Sequence, residues 1–332
     1  MVDQISSFDR NDMIEEYGGV VDAQIAKRSI MRQFVSMHSI RGTDTKTVRR
    51  MGDTTLQAVN DVNAGRRRGS TARNFDRAQV VVDTIVLARD KRTLLNEFQT
   101  DFSARREIGM DHGKTIAKFF DAALLNMGIK SALLNVVAGV SAGIKGIQGR
   151  DLGDAFKSGY HTELAVAGDE LDPDALYKAF EKVIVNMQEN DVDTDETALF
   201  LRPRQHAVLL NNDKLVNRNF SRDSGDFADG TIRTLMGVPL VSTARLADTN
   251  IDLSILGNGT EYVLAGIEAN AVGLIMHPNS VLGGETLPLT SDVHYDKLEL
   301  SWFIDSYLAF GAAPRRPDQT GAVFKFNATL NP

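Results

Sequence analysis

The 332-residue chain contains no cysteine, which excludes disulfides, thiol nucleophiles and thiolate metal sites. No uninterrupted apolar run approaches the roughly 18 residues of a membrane span. The opening MVDQISSFDRND lacks the basic-then-apolar pattern of a secretory signal, so a cytosolic protein with no membrane partner is expected. An overall basic excess is also missing. The formal charge is −7 and the pI near 5.4, a poor balance for a protein that must grip nucleic acid through its phosphates. The six histidines are scattered without the i, i+4 pairing of a helical zinc site, and no internal repeat or low-complexity tract occurs.

What is present is a chain with 42% apolar and 24% charged residues, long enough for about two ordinary domains. Its charge is unevenly spread. Residues 1–30 hold three cations against six carboxylates, a net −3, whereas residues 41–77 hold nine against four, a net +5. A segment of one sign inside a chain of the other suggests a contact between copies. A solvated basic hairpin explains it equally well.

The first 50 residues have weak periodicity and read as an extended arm with a short helix around Val20–Met37, of the kind that packs on something else. Strand patterns over Arg49–Val62 and Phe75–Ala88 flank NAGRRRGST. They predict a long hairpin with Arg66, Arg67 and Arg68 at its tip. Ile108, His112, Ile116, Phe120, Leu124 and Met127 then recur nearly every four residues, predicting a helix over about 102–135. Seven glycines between Gly139 and Gly168 mark a linker. A new helix starts at Asp172, a capping residue, with Pro173 in its first turn and Leu176, Phe180, Val183 and Met187 as its buried stripe. A strand at Ala198–Leu201, a Pro203-initiated helix through Leu210, a polar loop over 211–230 and one long period-two strand over Leu298–Phe310 complete an α+β pattern.

Three short motifs suggest chemistry, and each fails on inspection. EIGMDHGKT at 107–115 ends like a phosphate-binding loop, but only three residues separate Gly109 from Gly113, and four spacers would put Ile108 where glycine is required. Gly109 and Gly113 are instead helix residues on one face that permit close approach of another backbone, an inter-subunit contact by expectation. His112, on the same helix, reads as a hydrogen-bonded core or interface residue. GVSAG at 139–143 matches a nucleophile elbow, yet the downstream IKGIQGRDLG is too glycine-rich for the supporting helix and no oxyanion loop precedes the motif, so a serine hydrolase using Ser141 is the enzyme alternative only. Asp191, Asp193 and Asp195 imitate a calcium loop whose sixth and twelfth positions are Glu196 and Arg202, where glycine and glutamate belong. No catalytic residue, metal or cofactor is expected. A nucleic-acid-binding module using Arg66–Arg68 is a third reading.

The order of arm, basic-tipped hairpin, very long helix and C-terminal α+β domain, together with GTIRTLMGVPLVSTARL at 230–246, AVGLIMHPNSV at 271–281 and GAAPRRPDQTGAVFKF at 311–326, resembles the major capsid proteins of short-tailed phages with the Hong Kong 97-type shell fold. The family's Gly-x-Ile-Arg-x-x-Met-Gly turn matches Gly230, Ile232, Arg233, Met236 and Gly237, with Val241 following after three intervening residues. The resemblance implies an N-terminal arm at 1–48, an extended loop at 49–78, a peripheral domain from 79–169 and 286–332, and an axial domain at 170–285. It implies a shell of hexamers and pentamers of this chain around double-stranded DNA that it contacts weakly and without sequence preference, assembled in a host bacterial cytoplasm. A portal protein is implied as a partner, and a separate scaffolding protein too, because no long N-terminal extension is present. Self-crosslinking members need a loop lysine, and none occurs between Lys46 and Lys91, so covalent crosslinking is not expected.

Overall fold

The structure is a computed structural model that describes residues 17, 19–25, 28–51, 75–93, 103–134, 159–192, 194–212, 215, 225–226 and 231–326. In chain order the elements are α1 (Met31–Phe34), β1 (Met37–Ser39), β2 (Thr45–Met51), β3 (Phe75–Val81), β4 (Val86–Thr93), α2 (Ser103–Ala132), β5 (Tyr160–Glu163), α3 (Pro173–Glu189), β6 (Ala198–Leu201) and α4 (Pro203–Leu209). The short strands β7 (Gly225–Asp226), β8 (Thr231–Ile232) and β9 (Thr234–Leu235) come next, then β10 (Val238–Ser242), β11 (Ala271–Met276), β12 (Val281–Asp296), β13 (Ser301–Pro314) and β14 (Thr320–Phe324).

The 30-residue helix α2 is the organising element, and at about 1.5 Å per residue it runs about 45 Å. Its first half is amphipathic, with Glu107, Asp111, Thr115 and Lys118 exposed. From Asp121 to Leu134 every residue is buried, because two sheets enclose this half. On one side lies the sheet of order β1-β12-β13-β4, which contributes Val86, Val293, Ile304, Leu308 and Phe310 to the core around the helix. On the other lies the sheet of order β5-β14-β11-β6-β10-β9. Its strands alternate strictly. Phe200, Leu274, Met276, Ala322 and Phe324 face α2, while Leu199, Leu201, Ile275 and Val323 face α3 in a second core. Period two thus places two helices on opposite faces of one sheet.

Most of the elements expected from pattern are present, with instructive differences. α2 and β6 fall where expected, and α3 begins as its cap requires: Asp172 accepts the Asp174 N–H at 3.0 Å and Pro173 opens the first turn. The strand expected over Phe75–Ala88 is two strands. β3 pairs with β2 and ends at Val81, whereas β4 is the edge of the larger antiparallel sheet. β-branched content continues through both, so composition alone does not mark the break. The long strand expected from Leu298 starts at Ser301. Residues 297–300 form the turn of the β12–β13 hairpin, where Asp296 Oδ1 accepts the Leu298 N–H at 2.8 Å and Leu300 takes a φ of +48°. Leu298 is therefore 94% exposed and Leu300 59%. The six-stranded sheet also draws in residues 160–163 and 320–324 from outside the 170–285 segment, and Val281–Glu285 already lie in the four-stranded sheet.

The base of the expected hairpin is described and its tip is not. β2 and β3 pair from Thr45↔Val81 to Met51↔Phe75, and residues 52–74, with Arg66, Arg67 and Arg68, lie outside the described residues. The ribbon base is seated on the outer face of the four-stranded sheet through glycine. A Cβ on Gly311 would lie 2.3 Å from the Val81 carbonyl oxygen, so only glycine lets the two backbones approach there. Among the described residues no helix is long and apolar enough to cross a membrane.

Replacing Asp172 by Ala should lower the urea midpoint by an amount equivalent to about 1 kcal/mol with the m-value unchanged. An unchanged midpoint would mean that the cap is redundant with Pro173.

Candidate site for anchoring the N-terminal arm

The described polar side chains converge where the N-terminal arm crosses α2. Asp121 interrupts an apolar run, FFDAALLNMGI, and its side chain is only 1% exposed. A carboxylate there needs several donors, and the arm supplies them. Ser29 Oγ donates to Oδ1 at 2.6 Å, the Met31 N–H to Oδ1 at 3.2 Å and the Ile30 N–H to Oδ2 at 3.0 Å. Arg245, from the loop after β10, completes the set by ion pairing with Asp121 and also donates to the Arg28 carbonyl oxygen at 2.6 Å. One carboxylate therefore ties together the arm, the long helix and the six-stranded sheet.

Two turns earlier on α2 a second joint forms. Tyr17 Oη lies 2.6 Å from His112 Nδ1 and 2.8 Å from Ser306 Oγ, and His112 Nε2 lies 3.1 Å from Asp90 Oδ2. The ionised Asp90 carboxylate can only accept, so in neutral His112 the proton sits on Nε2 and Nδ1 accepts from the Tyr17 hydroxyl, which in turn accepts from Ser306. The buried histidine expected on this helix is thus a bonded link between arm, helix and sheet. Burial, opposed by the Ser306 hydrogen bond and reinforced by Asp90 and Asp305, pushes the Tyr17 hydroxyl up to about 12. A third joint pairs Arg32 with Glu285 on β12 at 3.6 Å. Burial raises the Glu285 carboxyl, and Arg32 opposes the shift.

Gly113 lies between the first two joints and Gly109 just before the second, and both meet the chain's own arm. A Cβ on Gly113 would sit 2.9 Å from the Val21 carbonyl oxygen and 2.8 Å from Gln24 Cβ, and one on Gly109 would sit 3.0 Å from the Tyr17 ring. The close backbone approach expected at these positions is made at Gly113 by Val21 of the same chain, whereas Gly109 meets only the side chains of Tyr17 and Val20. Lys114 and Thr115, the end of the apparent phosphate loop, are residues in mid-helix, where the backbone N–H groups that would cradle a phosphate are committed to the helix. Ser141 and Asp193 lie outside the described residues, as does Gly230 of the family turn; Met236 and Gly237 of that turn take φ of +51° and +86° between β9 and β10. Asp191 and Asp195 occupy the connection from α3 to β6, and among the described residues no group of three or more metal-capable side chains forms.

The joint is mechanical: it holds the arm, helical over 19–25, against the long helix. Sequence reasoning found Gly109, Gly113 and His112 but missed Asp121, Arg245 and Tyr17. A lone carboxylate within an apolar helical run was the available signal for Asp121, since such a position requires donors from elsewhere.

Solved structures resemble this arrangement over nearly its whole length. The mature capsid of bacteriophage PhiM1 superposes with a TM-score of 0.73 at 25% identity, covering 90% of this chain and 87% of that one. The capsid of cyanophage P-SCSP1u gives 0.71 at 15% identity, over 89% and 87%. A structure from Mycobacterium phage Che8 gives 0.60 at 14% identity, over 89% and 90%. No protein-family model matches the sequence, and no curated protein does.

Gly113→Ala should destabilise the protein although alanine favours the helix by about 1 kcal/mol, because overpacking against the Val21 backbone costs about 1–3 kcal/mol. Gly109→Ala should be near neutral, since the Tyr17 ring can shift. A urea midpoint that rises for Gly113→Ala would show that the arm is not seated there.

The Tyr17 hydroxyl titrates higher in the folded chain than the ordinary 10.0. Its contribution is therefore complete below pH 10 and lost as pH rises from 10 to about 12. Stability measured across that window should fall more steeply for the wild type than for Tyr17→Phe. Parallel curves would contradict the buried position of the hydroxyl.

Proposed function

We infer that this chain, built on the Hong Kong 97-type shell fold, is the major capsid protein of a bacteriophage and self-associates into an icosahedral shell. The likeness to the PhiM1 capsid, which spans about nine-tenths of this chain, carries the reading. Its role is structural. The physical properties of the chain support this independently, because an arm and a long two-stranded ribbon have too little core of their own, and contacts between interdigitating copies supply what is missing. The net charge of −7 suits a container for DNA, since a strongly basic wall would hold the packaged duplex and hinder its movement.

The finer parts of the proposal rest on the same reading. The phage is of the short-tailed kind, the shell is made of hexamers and pentamers assembled in the host bacterial cytoplasm, and a separate scaffolding protein and a portal protein take part. The arm comprises residues 1–48 and the extended loop 49–78, with the peripheral domain in 79–169 and 286–332 and the axial domain in 170–285. Gly109 and Gly113 serve assembly by seating the arm. Arg66, Arg67 and Arg68 meet carboxylates of a neighbouring copy. Negative-stain electron microscopy of the purified protein tests the reading as a whole: closed shells or capsomers are expected, and a persistent monomer under all assembly conditions would overturn it.

Reversing Arg66, Arg67 and Arg68 to Glu should leave the monomer's circular dichroism and melting nearly unchanged but abolish shells. Exposed pairs contribute only about 0–1 kcal/mol each, so the effect per subunit is small and becomes decisive only when repeated around a closed particle. Wild-type assembly should weaken at high salt. Normal particles from the reversed variant would show that the tip is a solvated loop.

A further inference from the structure

The four-stranded sheet has two faces, and the outer one is only partly covered. Along β13, Ile304, Leu308 and Phe310 belong to the core around α2, so by alternation Asp305, Tyr307 and Ala309 face outward. β4 runs in step with it: Val86 joins that core, while Ile85 and Leu87 on either side are 58% and 47% exposed. Cross-strand pairing sets Leu87 opposite Tyr307, and Leu287, also exposed, opposite Ala309. Ile85, Leu87, Tyr307 and Leu287 therefore form one apolar patch across three strands. The ribbon base stops beside it, packing Val80 and Val82 on Ala309 and Ala313. On the side toward the β12–β13 turn the face becomes charged, but its charges are paired within the chain. Arg89 donates to both oxygens of Asp305, at 2.7 and 2.6 Å, and Lys91 pairs with Glu299. Such a rim does not require a partner to bring counter-charges.

The far end of the same hairpin carries exposed apolar groups of the complementary shape, Leu298 and Leu300 on a narrow turn. That turn is pinned. Asp296 Oδ1 accepts the Leu298 N–H at 2.8 Å, Ser301 Oγ donates to the Glu299 carbonyl oxygen at 2.8 Å, and Lys91 holds the Glu299 side chain. Leu300 keeps its left-handed φ of +48°, a conformation that strains leucine and is free to glycine. Glycine or a polar residue would make the same turn without strain or exposed apolar surface, so the two leucines are explained by a contact. We propose that the turn of one copy docks through Leu298 and Leu300 on the Ile85, Leu87, Tyr307 and Leu287 patch of a second copy. The proposal rests on the shell reading, which supplies the second copy. Six residues of strand, about 20 Å, separate Ser301 from Tyr307, so the turn cannot reach the patch on its own sheet. Joining two different surfaces makes the contact heterologous, and such contacts close into rings or shells rather than ending at a two-fold dimer. A nucleic acid does not suit the patch, which offers its phosphates no cation that is not already paired at the rim.

The chain has no cysteine, so introduced thiols report one chosen pair of positions. Full-length Leu298→Cys and Leu87→Cys chains, one of them isotopically labelled, are co-assembled, treated with a short bis-maleimide and read by mass spectrometry. The expected product joins position 298 of one chain to position 87 of the other, and it is absent from the unassembled mixture. Particles that give only 298-to-298 products, or no product, overturn the proposal. Leu298→Asp/Leu300→Asp and Leu87→Asp, all at exposed positions, should each keep the monomer's circular dichroism. Each should lower particle yield about tenfold or more, because a charge buried at the centre of a contact is repeated at every subunit. Normal yield from either variant also overturns the docking. A wild-type chain that forms no particles under any condition refutes the shell reading and the docking with it, whereas wild-type particles without the 298-to-87 product refute the docking alone.

Discussion

The structure depends on one carboxylate. Asp121 sits in the part of α2 that two sheets enclose, and an unpaired charge there would cost several kcal/mol. Its partners come from two distant segments, the arm and the loop after β10, so satisfying it determines where the arm crosses the helix and how that loop lies against both. Removing one member leaves the others buried and unpaired, which makes the junction cooperative rather than a sum of weak contacts. Asp121 therefore specifies register more than it adds stability.

This arrangement suits a subunit whose surface is largely destined for neighbours. The enclosed half of α2 and its two sheets form a rigid centre, while the arm and the β2–β3 ribbon are attached to that centre at a few defined points. The Tyr17 relay, the Arg32–Glu285 pair and the glycine seats at 113 and 311 are such points. Each joins backbone or buried polar groups with little tolerance for displacement. A segment held in this way can reach outward without disturbing the core that carries it. Without cysteine, such polar and steric joints are the means available for fastening extended segments within one chain.

Much of this was legible in the sequence because it rests on periodicity and local chemistry. The spacing of Ile108, His112, Ile116 and Phe120 predicts α2 nearly to its ends, and Asp172-Pro173 marks the start of α3. The alternation after Leu298 predicts a long strand but not its beginning. A period of two does not distinguish strand residues from turn residues that continue the alternation by chance. The break between β3 and β4 was illegible because β-branched residues run through it from Val80 to Val86, and only the choice of pairing partner separates the two strands.

By itself the sequence determined the fold class, the long helix, the absence of a working phosphate loop and the need for close approach at Gly109 and Gly113. Each of these rests on residues near one another in the chain. The tertiary structure decided what approaches those glycines, which groups neutralise Asp121, and which strands share a sheet. Those outcomes depend on segments separated by tens to hundreds of residues, as Tyr17 is from Ser306 and Asp121 from Arg245. A carboxylate in an apolar run declares that it needs donors, but donors are plentiful in any chain, and only the path of the backbone selects Ser29, Ile30, Met31 and Arg245 from among them.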